Sequence, residues 1–155
     1  MPGPSSPREP SQIAERIPCM CAAMRRATRA VSRLYDEHIS ASGVRGTQHT
    51  LLRVLEAAGP LRQQDVADLM NADAATLSRT LRPLEREGWL TSEVGDEDKR
   101  ERRWSITPKG RRAVARSIEP WERAQSRLRS AFTAEEWSTL RRLLDKAAAA
   151  ADQPA

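Results

Sequence analysis

A mainly α-helical fold with a small β wing is predicted by three features of this 155-residue chain. Apolar residues recur at helical spacing towards both ends of the sequence. Two short helical patterns with a tight turn between them occupy residues 64 to 87. Two strand-like runs, 89–94 and 102–106, then flank the charged loop from Gly95 to Glu101. Helix, turn, helix and hairpin in that order make a winged helix-turn-helix lobe. Such a unit sets one helix in the major groove of DNA and a basic hairpin beside it. The remaining helices are left over as dimerisation arms.

The division expected along the chain is a disordered segment over 1–17, an N-terminal dimerisation helix over 18–46, the winged lobe over 47–110, and C-terminal dimerisation helices over 111–150. Four Pro and three Ser among the first twelve residues argue against packed structure there. From Pro18 to Ser42 the residues Met20, Met24, Ala27, Val31 and Leu34 step by 4, 3, 4 and 3, one apolar stripe. Arg25, Arg26, Arg29 and Arg33 fall mostly off it, and Gly43 and Gly46 end the helix. A second helix is expected over Thr47–Ala58, with Thr47 as N-cap, Leu51, Leu52 and Leu55 inward, and Gly59-Pro60 as the stop. Residues 61–63 suit a very short strand. Gln64–Met70 reads as the first helix of the DNA-binding unit, with Val66, Leu69 and Met70 inward.

Asp73 is a strong N-cap for the next helix, 74–87. Leu77, Leu81 and Leu84 repeat at 4 and 3 and must face inward. At 100° per residue Ala75, Arg79, Arg82 and Arg86 then point outward, with Thr76 and Ser78 flanking. Pro83 lacks the N–H that would bond the carbonyl of Arg79 and is expected to bend the helix. Gly88 closes it. Beyond the hairpin, Thr107 and Pro108 open a long helix as N-cap and N1. Its stripe is Val114, Ile118, Trp121, Gln125, Leu128 and Phe132, a heptad-like spacing that suits pairing across subunits, with a kink at Pro120. Thr133 and Glu136 make a capping box for a last helix. That helix carries Trp137, Leu140, Leu143, Leu144 and Ala147 on its apolar face and frays near Ala150.

Composition narrows the function. Net charge is +5 and pI about 10.0, which favours an anionic partner. Arginine supplies 23 of the 26 basic residues, and its guanidinium makes bidentate bonds to phosphate and guanine that lysine cannot copy. With one Phe and one Tyr, the core must come from aliphatic residues, Met and four Trp. Part of the apolar surface is expected to be covered only between subunits. No run of 18 or more apolar residues is present, so no membrane-spanning helix and no membrane partner are expected. The first twelve residues lack the apolar core of a secretory signal. Cys19 and Cys21 make no disulfide framework. A cytoplasmic protein is the expectation. No Ser-His-Asp set, phosphate loop or paired-carboxylate cleft is visible, so no enzyme is expected.

Taken together, residues 20 to 147 resemble the MarR family of bacterial transcription regulators. The sharpest match is in the wing, where Asp98-Lys99-Arg100 precedes Ile106-Thr107-Pro108-Lys109-Gly110 at the spacing of the family's Asp-x-Arg and Leu-Thr-x-x-Gly. A second match runs from Leu84 to Leu90. The resemblance implies a homodimer held by the first and last two helices, binding a palindromic duplex, usually as a repressor. It implies that Arg100 enters the minor groove, oriented by Asp98. An arginine there meets enhanced negative potential. The expected DNA contacts are Thr76, Ser78, Arg79, Arg82 and Arg86 on the helix and Lys99, Arg100 and Arg102 on the wing. Arg79 suits guanine, and Thr76 and Ser78 suit phosphate or a thymine methyl.

Two further sets of residues follow from the resemblance. An ungapped alignment with the family, anchored at Gln48, puts Cys21 on the reactive cysteine of its organic-hydroperoxide-sensing branch. The same alignment puts Tyr35 on one of two tyrosines that bond that thiolate from the opposite subunit. The other tyrosine's position is Gly46 here. The bland alternative for Cys21 is a small apolar residue in an interface, and it is the reading preferred. The family's effector pocket would draw on Met24, His49, Arg53 and Trp121. Two cysteines two residues apart, with solitary His38 and His49, are too few for a metal site, and neither metal nor cofactor is expected. The leading function is thus a dimeric repressor released by a small lipophilic or aromatic effector. The alternatives are a thiol-based oxidant sensor using Cys21, and a winged helix serving protein–protein contact only.

Overall fold

The computed structural model describes residues 19–94 and 101–151. The chain divides into two units, Met1–Arg33 and Leu34–Ala155. Within the first lies most of helix α1 (Met20–Ile39), whose arginines 25, 26, 29 and 33 are all exposed.

The second unit takes up the end of α1, a 3₁₀ turn over Ser40–Ser42 and helix α2 (Gly46–Ala58). Gly43, at φ 76°, makes the left-handed step between them. The N-cap of α2 is Arg45, not the Thr47 that the sequence suggests. Two other side chains take the cap's work. Gln48 Oε1 accepts the Arg45 N–H at 2.9 Å, and Asp36 Oδ1 accepts the Gly46 N–H at 2.8 Å. These bonds satisfy the N–H groups of the N-cap and first helical residue, two of the donors that a helix start leaves open. Leu51, Leu52 and Leu55 are buried as expected, and so is His49.

Strand β1 (Leu61–Arg62) leads into helix α3 (Gln63–Met70). Arg62 donates to both carboxylate oxygens of Asp65 at 2.9 Å, a fork that holds the Asp65 carboxyl below its ordinary range. Asn71, left-handed at φ 44°, turns the chain towards helix α4 (Ala74–Arg86). One expected core residue of α3 is displaced: Leu69 is 61% exposed, while Val66 and Ala67 are buried. Val66, Ala67 and Met70 share one face, and Leu69 lies about 110° from its centre at 100° per residue.

Strands β2 (Leu90–Val94) and β3 (Arg102–Ile106) pair antiparallel, with β1 on the far side of β3, in the order β1-β3-β2. The register sets Leu90 opposite Ile106 and Ser92 opposite Trp104. Helix α5 (Pro108–Arg129) begins as the sequence reads it, with Thr107 Oγ1 accepting the Gly110 N–H and Pro108 at N1. It runs through Pro120 without a break, as α4 runs through Pro83. Its deepest face is one of small residues: Gly110, Ala113, Ser117 and Ala124 are buried with Val114. Ile118 and Trp121 are only partly buried against the core. Phe132 lies past the helix end and so cannot complete the heptad-like stripe. It meets Trp137 at a ring separation of 5.7 Å, under the guanidinium of Arg129, and fastens the corner to helix α6 (Ala134–Ala151).

The Thr133–Glu136 capping box of α6 closes at 2.8 and 3.2 Å. On the apolar face of α6, Leu143 and Leu144 are each 49% exposed. The core lies instead in the lobe. Leu77, Leu81 and Leu84 from α4 and Leu51, Leu52 and Leu55 from α2 belong to one buried cluster, with Val66, Leu90, Trp104 and Val114. Burial of that stripe fixes which side of α4 faces out.

Candidate nucleic-acid interface

Helix α4 is amphipathic in the strict sense: three leucines bury one side and arginines line the other. Arg79, Arg82 and Arg86 are exposed, Thr76 is exposed and Ser78 is half-buried. The first turn is ordered by a short chain of bonds. Asp73 accepts the Thr76 N–H at 2.7 Å and the Thr76 hydroxyl at 2.8 Å. These bonds to Thr76 hold the Asp73 carboxyl below its ordinary range, backbone first and side chain second. Arg79 in turn donates to Thr76 Oγ1 at 3.1 Å. Among the described residues no carboxylate lies within ion-pair reach of Arg79, Arg82 or Arg86. Glu85 is instead the acceptor of the Ser92 hydroxyl at 2.7 Å.

The wing tip, with Asp98, Lys99 and Arg100, lies outside the described residues. At its base, exposed Arg102 donates to Ser92 Oγ at 3.1 Å. Glu85, Ser92 and Arg102 therefore tie the hairpin to α4. A second tie runs from Trp104 Nε1 to Gln63 Oε1 at 3.2 Å, joining β3 to the first turn of α3. Sequence reading did not single out Ser92 or Gln63, because neither partner is near in the chain. Between α3, α4 and β3 lies a concave surface of about 1110 Å³, whose lining includes Leu77, Leu81 and Trp104 with Arg82, Arg86 and Arg102.

His49 stacks on Trp121 with ring centroids 5.6 Å apart, and its Nδ1 is 2.8 Å from Ser117 Oγ. The Ser117 hydroxyl gives its proton to Val114 O at 2.8 Å, so His49 Nδ1 must be the donor to Ser117. Burial first, and Arg53 second, hold the His49 imidazole below its ordinary value, against a smaller opposing pull from Glu56. Arg53 is exposed and paired with Glu56 at 2.9 Å. Met24 and Cys21 belong to the first unit, and Cys21 is exposed. The Tyr35 hydroxyl donates to Gln125 Oε1, and burial raises its pKa. Among the described residues no cluster of three His, Cys, Asp or Glu could hold a metal ion. No described helix is long and apolar enough to cross a membrane.

Residues 46–101 match the model of the MarR family. The same winged fold is found in the M. tuberculosis transcriptional regulator MosR in complex with DNA, at 28% identity and a TM-score of 0.79 over 86% of this chain and 96% of that one. Over its winged lobe the chain is similar to the MarR family. PcaV of Streptomyces coelicolor, solved with its natural ligand, shares this winged fold at a TM-score of 0.80 and 23% identity, over 87% of this chain and 95% of that one. The uncharacterized HTH-type transcriptional regulator YwoH of Bacillus subtilis (strain 168) is 32% identical over 76 residues. That match spans 49% of this chain and about half, 55%, of the relative's own length. Mainly α with a small three-stranded wing sheet, the winged helix-turn-helix architecture is as the sequence predicts.

Proposed function

We propose that this chain is a homodimeric, sequence-specific DNA-binding transcriptional regulator that works as a repressor in the cytoplasm. The observation that carries the reading is the outward row of Arg79, Arg82 and Arg86 on a helix whose opposite side is fixed by Leu77, Leu81 and Leu84. Thr76, Ser78, Arg79 and Arg82 enter the major groove, Arg86 meets backbone phosphate, and Lys99 and Arg100 of the wing reach the adjacent minor groove with Asp98 orienting Arg100. Arg102 neutralises phosphate at the base of the wing. Support for DNA as the partner comes from MosR, 28% identical and solved on DNA. The half-exposed leucines of α6 support pairing of two copies through α1, α5 and α6. A small lipophilic or aromatic effector acting near His49, Arg53 and Trp121 releases the duplex. The oxidant-sensing reading of Cys21 has less support, because the Tyr35 hydroxyl is already engaged by Gln125.

The test is selection of duplexes from a randomised library by the full chain, followed by sedimentation of the selected complex. A palindrome bound by two chains is expected, with affinity falling steeply as salt rises because phosphate contacts release counterions. Failure to enrich any sequence would sink the proposal.

A further inference from the structure

Three successive carbonyls just past the end of α4, the proposed recognition helix, accept hydrogen bonds from the start of α5. Lys109 Nζ donates to Glu87 O at 2.7 Å, Thr107 Oγ1 to Gly88 O at 2.7 Å, and the Thr107 N–H to Trp89 O at 3.0 Å. Trp89 N–H donates back to Leu84 O at 2.9 Å, which anchors this clasp in the last turn of α4. Carbonyl oxygens meeting a helix N-terminus is also the favourable pairing of partial charges. Capping α5 needs only the Thr107 oxygen and the Gly110 N–H. Here the same hydroxyl, a lysine and a backbone N–H also hold the recognition helix.

The contact leaves no slack. A Cβ at Gly110 would lie 2.2 Å from Trp89 O and 2.8 Å from Ile106 Cγ1, against an ordinary contact of 3.4 Å or more. Trp89 and Ile106 are buried, so neither can yield into solvent. Any side chain at Gly110 must therefore push α5 and the end of α4 apart by about 1 Å.

We propose that Thr107, Lys109 and Gly110 are specificity-determining residues that never touch DNA: their clasp on residues 87–89 sets the half-site spacing the dimer accepts. This rests on the reading of the chain as a DNA-binding dimer. In a two-fold dimer the separation of half-sites follows from where the arms hold the two recognition helices. Recognition helix and arm are about 20 and 33 Å long at 1.5 Å per residue. An opening of about 1 Å across the shorter one tilts it by about 3°, and two subunits together shift the recognition helices by roughly 3 Å, close to the rise of one base pair.

The experiment uses the full chain, a palindrome selected by the parent, and a series of duplexes with base pairs added or removed between the half-sites. Fluorescence anisotropy compares the parent with Gly110→Ala and with Lys109→Met, which removes one bond of the clasp without a clash. The parent should lose affinity steeply on every duplex whose spacing departs from the selected one. Gly110→Ala should flatten the dependence on spacing, with base preference inside each half-site kept. Lys109→Met should flatten it in the same sense but less, and it decides the matter should Gly110→Ala not fold. Variants that bind less well but keep the parent's spacing preference would make the clasp mere support and overturn the proposal. A parent that selects no duplex would instead refute the DNA-binding reading itself.

Discussion

Replacing Arg79 by alanine is expected to cost DNA affinity while leaving the fold intact. Arg79 is exposed, and its bond to Thr76 Oγ1, at 3.1 Å, joins a hydroxyl that Asp73 already holds. Its loss should change stability by no more than about 0.5 kcal/mol, the usual range for a surface substitution. Alanine's helix propensity offsets part even of that. On a selected palindrome the outcome differs. A bidentate arginine–guanine pair is worth about 1–3 kcal/mol, or roughly 5- to 150-fold in Kd at about 1.4 kcal/mol per decade. The salt dependence tells base from backbone. A lost phosphate contact lowers the slope of log affinity on log salt by about 0.9, whereas a lost base contact leaves it unchanged. Anisotropy titrations on the palindrome and on a scrambled duplex, at two salt concentrations, read both quantities, and thermal melts run alongside. Equal loss on both duplexes would show that Arg79 does not read a base. No loss on either would mean that the outward side of α4 is not the DNA face.

Ser117→Ala removes the acceptor of a buried His49 N–H and should destabilise the chain by about 1–3 kcal/mol, read as a lower urea midpoint. The pH dependence follows from the same imidazole, held below its ordinary value of 6.5 chiefly by burial. As pH falls the unfolded chain takes up the proton first. The stability is therefore fully present above 6.5 and lost as pH falls below it towards the folded value. His49→Asn, which does not titrate, should flatten that decline in urea melts between about pH 7 and 5. Leu140→Glu together with Leu144→Glu, on the apolar face of α6, should turn dimers into monomers by sedimentation; unchanged dimers would move the interface elsewhere.

Local chemistry was the readable part of the sequence. Asp73, Thr107 and the Thr133–Glu136 pair announce helix starts because each cap is completed within three residues. The stripe of Leu77, Leu81 and Leu84 is long enough to fix a face, and with it the outward arginines. Reading fails where the partner is remote or the element short. Asp36 caps α2 from ten residues upstream, so Thr47 looked the better cap. Eight residues of α3 do not define a stripe, which is why Leu69 was misplaced. In α5 the large residues Ile118 and Trp121 drew the eye, while the tightest packing belongs to Gly110, Ala113, Ser117 and Ala124. Small residues at helical spacing were a signal that could have been read, and with it the partner of His49.

The arginines of α4 have a cost as well as a use. Arg79, Arg82 and Arg86 share one side of a thirteen-residue helix with no carboxylate in ion-pair reach among the described residues, in a chain whose net charge is already +5. Their mutual repulsion works against the compact state whenever the site is empty. On the proposed reading, a duplex that neutralises them acts as a ligand of the native state alone and raises its stability by mass action. The operator is then part of what keeps this protein folded. Free and bound molecules would differ in lifetime as well as in location, with the unoccupied regulator the more readily unfolded and degraded of the two.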